Sequence, residues 1–471
     1  MNENLFAVIE KAVANRDAAC FITEKGVRLS YDELFRNVGL VACYLTDRGI
    51  GPGDRVMVQV PKSIEMVELY LATLKIGAIF VPINTAYKQS EVQYFLDDAE
   101  PKLFVTDARE IAREAAGLTP LAESAQRGRD DIAAIVYTSG TTGRSKGAML
   151  THGNLASNGL ALVEAWGFTQ EDVLLHTLPV FHVHGLFVAL HCALLSNSSV
   201  IWLDRFDEDL ILERLAQATV MMGVPTYYTR LLANPALTAE RAEGIRLFIS
   251  GSAPLLETAF HAFEQRTGKR IVERYGMSES AIITTNPLVG KRIAGSVGYP
   301  LPGVALRVSG GEEIGMIEIR GPNVFAGYWR NPEKTDESFT ADGYFITGDL
   351  GRTDADGRLW ITGRAKDLVI SGGYNVYPKE LELVIDETEG VIESAVIGVP
   401  HPDFGEAVVA VVVGSAEERD VIDFASARLA SFKVPKRVFQ LPALPRNALG
   451  KVEKNKLRDM FGQIFAADHH A

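Results

Sequence analysis

A chain of 471 residues exceeds one ordinary hydrophobic core, so two or more folding units are expected. A formal net charge of −13 on an otherwise globular composition excludes a general nucleic-acid or anionic-membrane surface, yet leaves room for small anions held by backbone N–H groups. Cys20, Cys43 and Cys192 make no close-spaced pattern, which sets aside a zinc or dithiol site and fits buried thiols in a reducing compartment.

The opening MNENLFAVIEKAVANRD has no basic stretch leading into an apolar core and is not arginine-rich, so no signal or transit peptide is read and a cytoplasmic location is expected. RVMVQV at Arg55 reads as a strand and SIEMVELYLATLKIG as a helix. AIFVPIN and KLFVTD read as further strands, with QSEVQYFLDDA as a helix between them. GLTPLAESAQRGRDD reads as a flexible connection. DIAAIVYTS, DVLLHTL, SVIWLD, TVMMGVP and RLFISGS then repeat the strand pattern, separated by helical segments. VFHVHGLFVALHCALL is very apolar, but its three histidines and short length predict a buried helix near a site, not a membrane span. This alternation predicts layered α/β sheets. Beyond Asn286 the texture changes to polar–apolar alternation around glycine-rich turns, with DADG at Asp354 as a hairpin turn, and predicts a small antiparallel sheet or barrel. From about Ala365 a compact α+β tail follows.

One stretch concentrates chemistry: VYTSGTTGRSKGAML, Val136 to Leu150, placed between a strand and the helical GNLASNGLALVEAW. Gly140, Gly143 and Gly147 permit close backbone approach to an anion. Thr138, Ser139, Thr141 and Thr142 bring hydroxyl donors, and Lys146 adds charge. It is not a Walker A loop, because Ser145 precedes the lysine and Gly147 follows it. On residues alone, a polar turn and a phosphate cradle both remain open.

The longer string YTSGTTGRSKGAMLTHGN resembles the phosphate loop of the adenylate-forming superfamily of acyl-CoA synthetases, luciferases and peptide-synthetase adenylation domains. LPVFHVHGL, GVPTYYTRLL, SGSAPL, ERYGMSES, GYFITGDLG, ITGRAKDLVISGGYNVYP and LPRNALGKV resemble that superfamily's successive motifs, in order. Within it the chain looks most like the malonyl-CoA synthetases. The resemblance implies an α/β fold: an N-terminal AMP-binding domain over 1–364, with two layered α/β subdomains and a small β-barrel-like one, then a mobile α+β domain over 365–471 carrying the catalytic lysine.

It further implies an AMP-forming acid–CoA ligase, with ATP and coenzyme A as co-substrates and Mg²⁺ as metal. A carboxylate would attack the α-phosphate of ATP, and a thiol would then displace AMP from the acyl-adenylate. The loop from Thr138 through Ser139, Gly140, Thr141, Thr142 and Gly143 to Lys146 would hold the β- and γ-phosphates, with Glu279 and Thr138 on the Mg²⁺. Ser252 and Ala253, then Glu273, Arg274, Tyr275, Gly276, Met277 and Ser278, would wall the adenine and AMP, with Tyr275 stacking. Asp349 would take the ribose hydroxyls and Arg364 would add a second nucleotide contact. Lys451 would bridge the carboxylate and the α-phosphate, Lys366 would mark the hinge, and Gly372, Gly373 and Tyr374 would line the CoA channel. Read without the resemblance, Glu279 is a solvated acid, Asp349 a turn residue, and Lys451 one lysine among several in the tail.

The acid is read as malonate. His182 matches the family position beside the nucleotide and acyl group, while His184, Gly251, Ser252 and Arg292 are expected around the substrate carboxylates, Arg292 through its fork of donors. Ile282 and Ile283 stand where malonyl-type relatives tend to carry Met and Asn, so methylmalonate or a short monocarboxylate remains an alternative. Loading of a carrier-protein thiol is a second alternative. An inactive binding module would have lost Lys146, Glu279, Asp349, Arg364 or Lys451, and all are present. Neither a nucleic-acid nor a membrane partner is expected, and monomer and homodimer both stay open.

Overall fold

The computed structural model describes residues 2–138, 145–310, 313–447 and 450–465. The chain divides into two compact units, Met1–Leu306 with Ile319–Phe345, and Arg307–Glu318 with Ile346–Ala471. Asp349 and Arg364, expected at the end of the first domain, therefore pack within the second unit.

The first unit is mixed α/β. One sheet runs in the order Leu103–Val105, Arg55–Val58, Ile79–Pro82, Ile132–Thr138, Lys146–Thr151. Its first four strands are parallel and the last pair is antiparallel. Ile79–Pro82 is buried at every residue, which is why it reads as an unbroken apolar run. Helix Ile64–Lys75 starts where the Ser63 side chain accepts the Met66 amide, an N-cap that also fixes the exit from the preceding strand.

The second sheet lays parallel strands Ala19–Thr23, Ser199–Trp202, Val173–His176, Val220–Gly223, Leu247–Ser250 and Val272–Met277 side by side. Antiparallel Ala281–Thr285 and Ser296–Pro300 follow Val272–Met277. Leu175, Met221 and Phe248 on these strands pack against Tyr228, Phe260 and Phe263, and Phe248 meets Phe263 edge-on at 4.9 Å. Gly223, Ser250 and Glu273 are register partners, so the carboxyl ends of these strands share one edge, the usual ligand side of a parallel sheet.

One local expectation changes and two gain detail. Lys146–Thr151 is a strand, so the Val136–Leu150 stretch joins two arms of an antiparallel hairpin, and helix His152–Ala165 begins only after it. The GLTPLAESAQRGRDD stretch has no regular structure but is pinned: Leu121 N donates to Gly39 O, Ala125 N to Lys75 O, and Arg127 N to Asn2 Oδ1. The apolar histidine run is a π-helical turn, His184–Ala189, leading into helix Leu190–Leu195. Among the described residues no helix is long and apolar enough to cross a membrane.

In the second unit, strands Phe345–Thr353 and Leu359–Arg364 pair around the predicted DADG turn, where Gly357 has φ 82°. A further sheet runs Tyr374–Val376, Val369–Ser371, Gly405–Gly414, Val391–His401, with Arg437–Gln440 parallel to Gly405–Gly414. Val408, Ala410 and Val412 face helices Pro378–Ile385 and Glu418–Ser426 through Leu381, Ile385 and Val421. Ala407, Val409 and Val411 face the opposite side, toward Leu444, Leu457 and Phe465. Burial on both faces explains the continuous AVVAVVV, since successive side chains alternate sides.

Candidate active site

In the first unit the hairpin arms meet at Thr138 and Lys146, which are register partners, and the Thr138 hydroxyl donates to Lys146 O at 3.5 Å. Ser139, Gly140, Thr141, Thr142 and Gly143 lie outside the described residues. Lys146 Nζ stands 5.6 Å from the Tyr328 ring centre. Burial, then Lys334, lowers its pKa, while Glu279 and Glu337 act in the opposite sense. Glu279 is buried, and its Oε1 accepts the Tyr328 hydroxyl at 3.0 Å. The turn before it is tight: a Cβ on Gly276 would lie 2.0 Å from Ala281 O. Tyr275, Met277 and Ser278 follow half-buried on the strand end and the turn.

The carboxyl edge of the second sheet holds a cluster of nitrogen groups. Arg274 is buried, and its Nε and Nη2 have no hydrogen-bond partner among the described residues. Its guanidinium folds over Gly251, where a Cβ would stand 2.4 Å from Cζ, so any side chain there would displace it. Burial brings the Arg274 pKa down to about 9. His184 is buried, its Nδ1 lies 3.3 Å from the Ser252 hydroxyl, and its Nε2 has no hydrogen-bond partner among the described residues. Burial first, then Arg274, His182 and His176, hold it well below the usual histidine range. The His182 Nδ1 accepts the His184 amide at 3.2 Å, which leaves its proton on Nε2. Burial and Arg274 lower the His182 pKa to about 4. Ser252 reaches this cluster through a left-handed backbone, φ 70°, and Ala253 follows half-buried. The arrangement is a buried guanidinium beside two neutral imidazoles and a hydroxyl, suited to a small carboxylate.

Arg292 does not join it. Its guanidinium donates to Pro287 O at 3.3 Å, Leu288 O at 2.8 Å and Arg270 O at 2.6 Å, and so clamps a loop. Arg274 supplies the buried cation instead. It hid inside a nucleotide motif, but VERYGM carried a signal: a strand whose first three residues are buried includes a charged pair, and a buried charge needs a partner. Glu273, its neighbour, accepts the Gly295 amide at 3.0 Å.

The second unit has its own cluster of charged groups. Asp349 and Arg364 are register partners, and Arg364 Nε lies 2.7 Å from Asp349 Oδ1. The Asp349 side chain is only 4% exposed. Lys451 sits on a short turn, where its amide donates to Asn447 Oδ1 and its carbonyl accepts the Asn447 amide. It keeps solvent contact, yet crowding around its amine lowers its pKa to about 8, with Arg364 and Lys366 pushing it down against Asp349 and Asp367. The unit thus gathers Lys451, Arg364, Asp349 and Lys366 in one place. Gly372 and Gly373, φ 59° and 83°, form the two-residue turn between Ser371 and Tyr374, and Tyr374 stacks on Phe432 at 4.7 Å.

Residues 9–329 match the family described as AMP-binding enzyme, and residues 380–451 match its C-terminal domain. A malonate–CoA ligase of Arabidopsis thaliana is 36% identical, covering 86% of this chain and 78% of that protein. A feruloyl-CoA synthase of Amycolatopsis is 34% identical, over 94% of this chain and 96% of that one. The crystal structure of ATP-bound MatB from Rhodopseudomonas palustris superposes with a TM-score of 0.96 at 49% identity, covering 99% of this chain and 100% of that chain.

Proposed function

Because the chain belongs to the AMP-binding enzyme family, we propose that it is an AMP-forming acid–CoA ligase acting on malonate, converting ATP, malonate and CoA to malonyl-CoA, AMP and diphosphate. Family membership does not choose the acid, since a malonate ligase and a feruloyl-CoA synthase are almost equally similar. The observation that carries malonate is Arg274: a buried guanidinium with two nitrogens that, like the neighbouring His184 Nε2, have no hydrogen-bond partner among the described residues. A diacid supplies the missing anion, with its distal carboxylate on Arg274 and its other carboxylate free to react.

In the first half-reaction a malonate oxygen attacks the α-phosphorus, a P–O bond forms, and the bond to diphosphate breaks. Lys146 and the loop before it hold the phosphates, and Lys451 neutralises charge between the carboxylate and the α-phosphate. Asp349 accepts the ribose hydroxyls, and Tyr275 and Ala253 flank the base. Mg²⁺ supplies charge neutralisation on the phosphates when bound. Glu279 and Thr138 would hold it, and these hard oxygen donors fit a cation that takes one or two protein ligands alongside substrate phosphates. In the second half-reaction the CoA sulfur attacks the acyl carbonyl, a C–S bond forms, the C–O bond to AMP breaks, and the thiol proton passes to solvent. Residues 365–471 would rotate about Lys366 between the two steps, with Gly372, Gly373 and Tyr374 lining the CoA path. The buried wall of Ile282 and Ile283 keeps methylmalonate as the second reading. A cytoplasmic location is part of the proposal.

The test is a panel of mono- and dicarboxylic acids read by AMP release with and without CoA, on the parent and on Arg274→Met. Malonate should lead the panel. The variant should lose about 10- to 100-fold in kcat/KM for malonate, the scale of a charged hydrogen-bond pair, and far less for propionate. Equal losses for both acids would remove Arg274 from acid recognition, and malonate-dependent ATP–diphosphate exchange with no CoA-stimulated AMP release would favour a carrier-protein thiol.

A further inference from the structure

We infer that Tyr328 is a positioning residue for adenylation, whose single ring holds the Glu279 carboxylate at its hydroxyl and the Lys146 ammonium at its face. The inference rests on the roles proposed above for Glu279 and Lys146.

The geometry begins with a segment the motif reading passed over. Phe325 to Trp329 runs along the hairpin arm Lys146–Thr151: Ala326 N donates to Met149 O, Met149 N to Gly327 O, and Trp329 N to Gly147 O, all within 2.9 Å. Ala148 and Tyr328 form an antiparallel bridge. At its other end, Phe325 N donates to Glu279 O at 2.8 Å. One extended stretch therefore joins the backbone of the phosphate hairpin to the backbone of the proposed metal ligand. Tyr328 repeats that link with its side chain. Its hydroxyl donates to Glu279 Oε1 at 3.0 Å, and Lys146 Nζ lies 5.6 Å from its ring centre. A hydroxyl on an ionised carboxylate is a charge-assisted bond, and an ammonium over a ring face is an attractive one. Phe325 packs edge-on against the ring at 4.8 Å and limits its swing. The side chain thus sets where an anion and a cation stand relative to one another, and both are expected to meet the same triphosphate.

Tyr328→Phe removes the hydroxyl and keeps the ring, the bridge and the cation contact. Full-length parent, Tyr328→Phe and Glu279→Gln are compared by calorimetric titration of ATP across a Mg²⁺ series, by ATP–diphosphate exchange, and by thioester formation from supplied malonyl-adenylate. Tyr328→Phe should need about tenfold more Mg²⁺ for half-maximal ATP binding and exchange diphosphate about tenfold more slowly, as loss of a group that orients a metal ligand does. Its thioester step and thermal midpoint should match the parent. A parental Mg²⁺ dependence in Tyr328→Phe beside a shifted one in Glu279→Gln overturns the inference and leaves the reading of Glu279 standing. No shift in Glu279→Gln removes that reading and the inference with it. Equal loss of both half-reactions with a lowered midpoint makes Tyr328 structural and also overturns it.

Discussion

Lys451 is the residue on which the proposed chemistry converges, and its surroundings say how it should titrate. Only its ammonium form can neutralise a phosphoryl transition state. Crowding, Arg364 and Lys366 lower its pKa to about 8, so the active form is lost as pH rises through that value. The kcat/KM for ATP, which reports the free enzyme, should therefore fall above about pH 8. In the ATP complex, phosphate charge favours the ammonium, so the corresponding limb of kcat should lie at higher pH. Lys451→Ala should abolish ATP–diphosphate exchange and largely spare thioester formation from supplied malonyl-adenylate. Lys451 was nameable only by resemblance, because three lysines share the tail and spacing does not separate them. The two arginines teach the complementary lesson. Arg292 was named for its fork of donors, and a sequence does not display the three backbone carbonyls that occupy it. Arg274 was nameable as a motif residue, but its proposed role rests on two nitrogens without partners among the described residues, a property of three-dimensional surroundings.

At the scale of elements, periodicity worked wherever strands were buried on both faces. RVMVQV, AIFVPIN, SVIWLD and TVMMGVP all became strands within a few residues of their apolar runs. It failed at Lys146–Thr151, where glycine and a polar start disguise a strand supported by hairpin pairing. The 117–131 connection is free of helix and strand as read, and what the sequence does not display is its backbone pairing with distant Gly39 and Lys75. The glycine pair at 372 and 373 shows two explanations meeting at one place. It was read as clearance for a slender ligand, and the turn itself already demands glycine, since a two-residue hairpin of this hand needs positive φ at both positions. A Cβ on Gly373 would meet no atom within 4 Å, so Gly373→Ala isolates the backbone term. It should destabilise the Ser371–Tyr374 hairpin by about 1–2 kcal/mol, seen as faster amide exchange there. If the CoA path also uses this turn, the thioester step should slow while ATP–diphosphate exchange does not.

For the whole molecule, the informative tension lies between how the chain packs and where it is proposed to bend. Packing assigns Ile346–Ala471 to one unit, and within it Lys451 stands with Asp349 and Arg364. The proposed hinge at Lys366 falls inside that unit, after Arg364. Rotation there would separate Lys451 from Asp349 and Arg364, which is what a lysine needed in one half-reaction and withdrawn in the other requires. The motif order could place a hinge but not foresee this packing, because Arg307–Glu318 joins the second unit from a distant part of the chain. The hinge has a substitution suited to testing it. Ala365 opens the short 3₁₀ turn Ala365–Asp367, and Arg364 before it is extended, at φ −107° and ψ 139°. Proline is tolerated at a first helical position, and the residue before it prefers that extended geometry. Ala365→Pro should therefore preserve the described arrangement and stiffen the step into Lys366. ATP–diphosphate exchange should stay within about twofold of the parent, because proline fits the local backbone already present. CoA-dependent AMP release should fall by at least about tenfold, since one locked torsion obstructs a hinge that works through a few residues. Equal retention of both half-reactions would move the hinge elsewhere, and equal loss of both would show that the 3₁₀ turn matters for the packed state rather than for the passage between states.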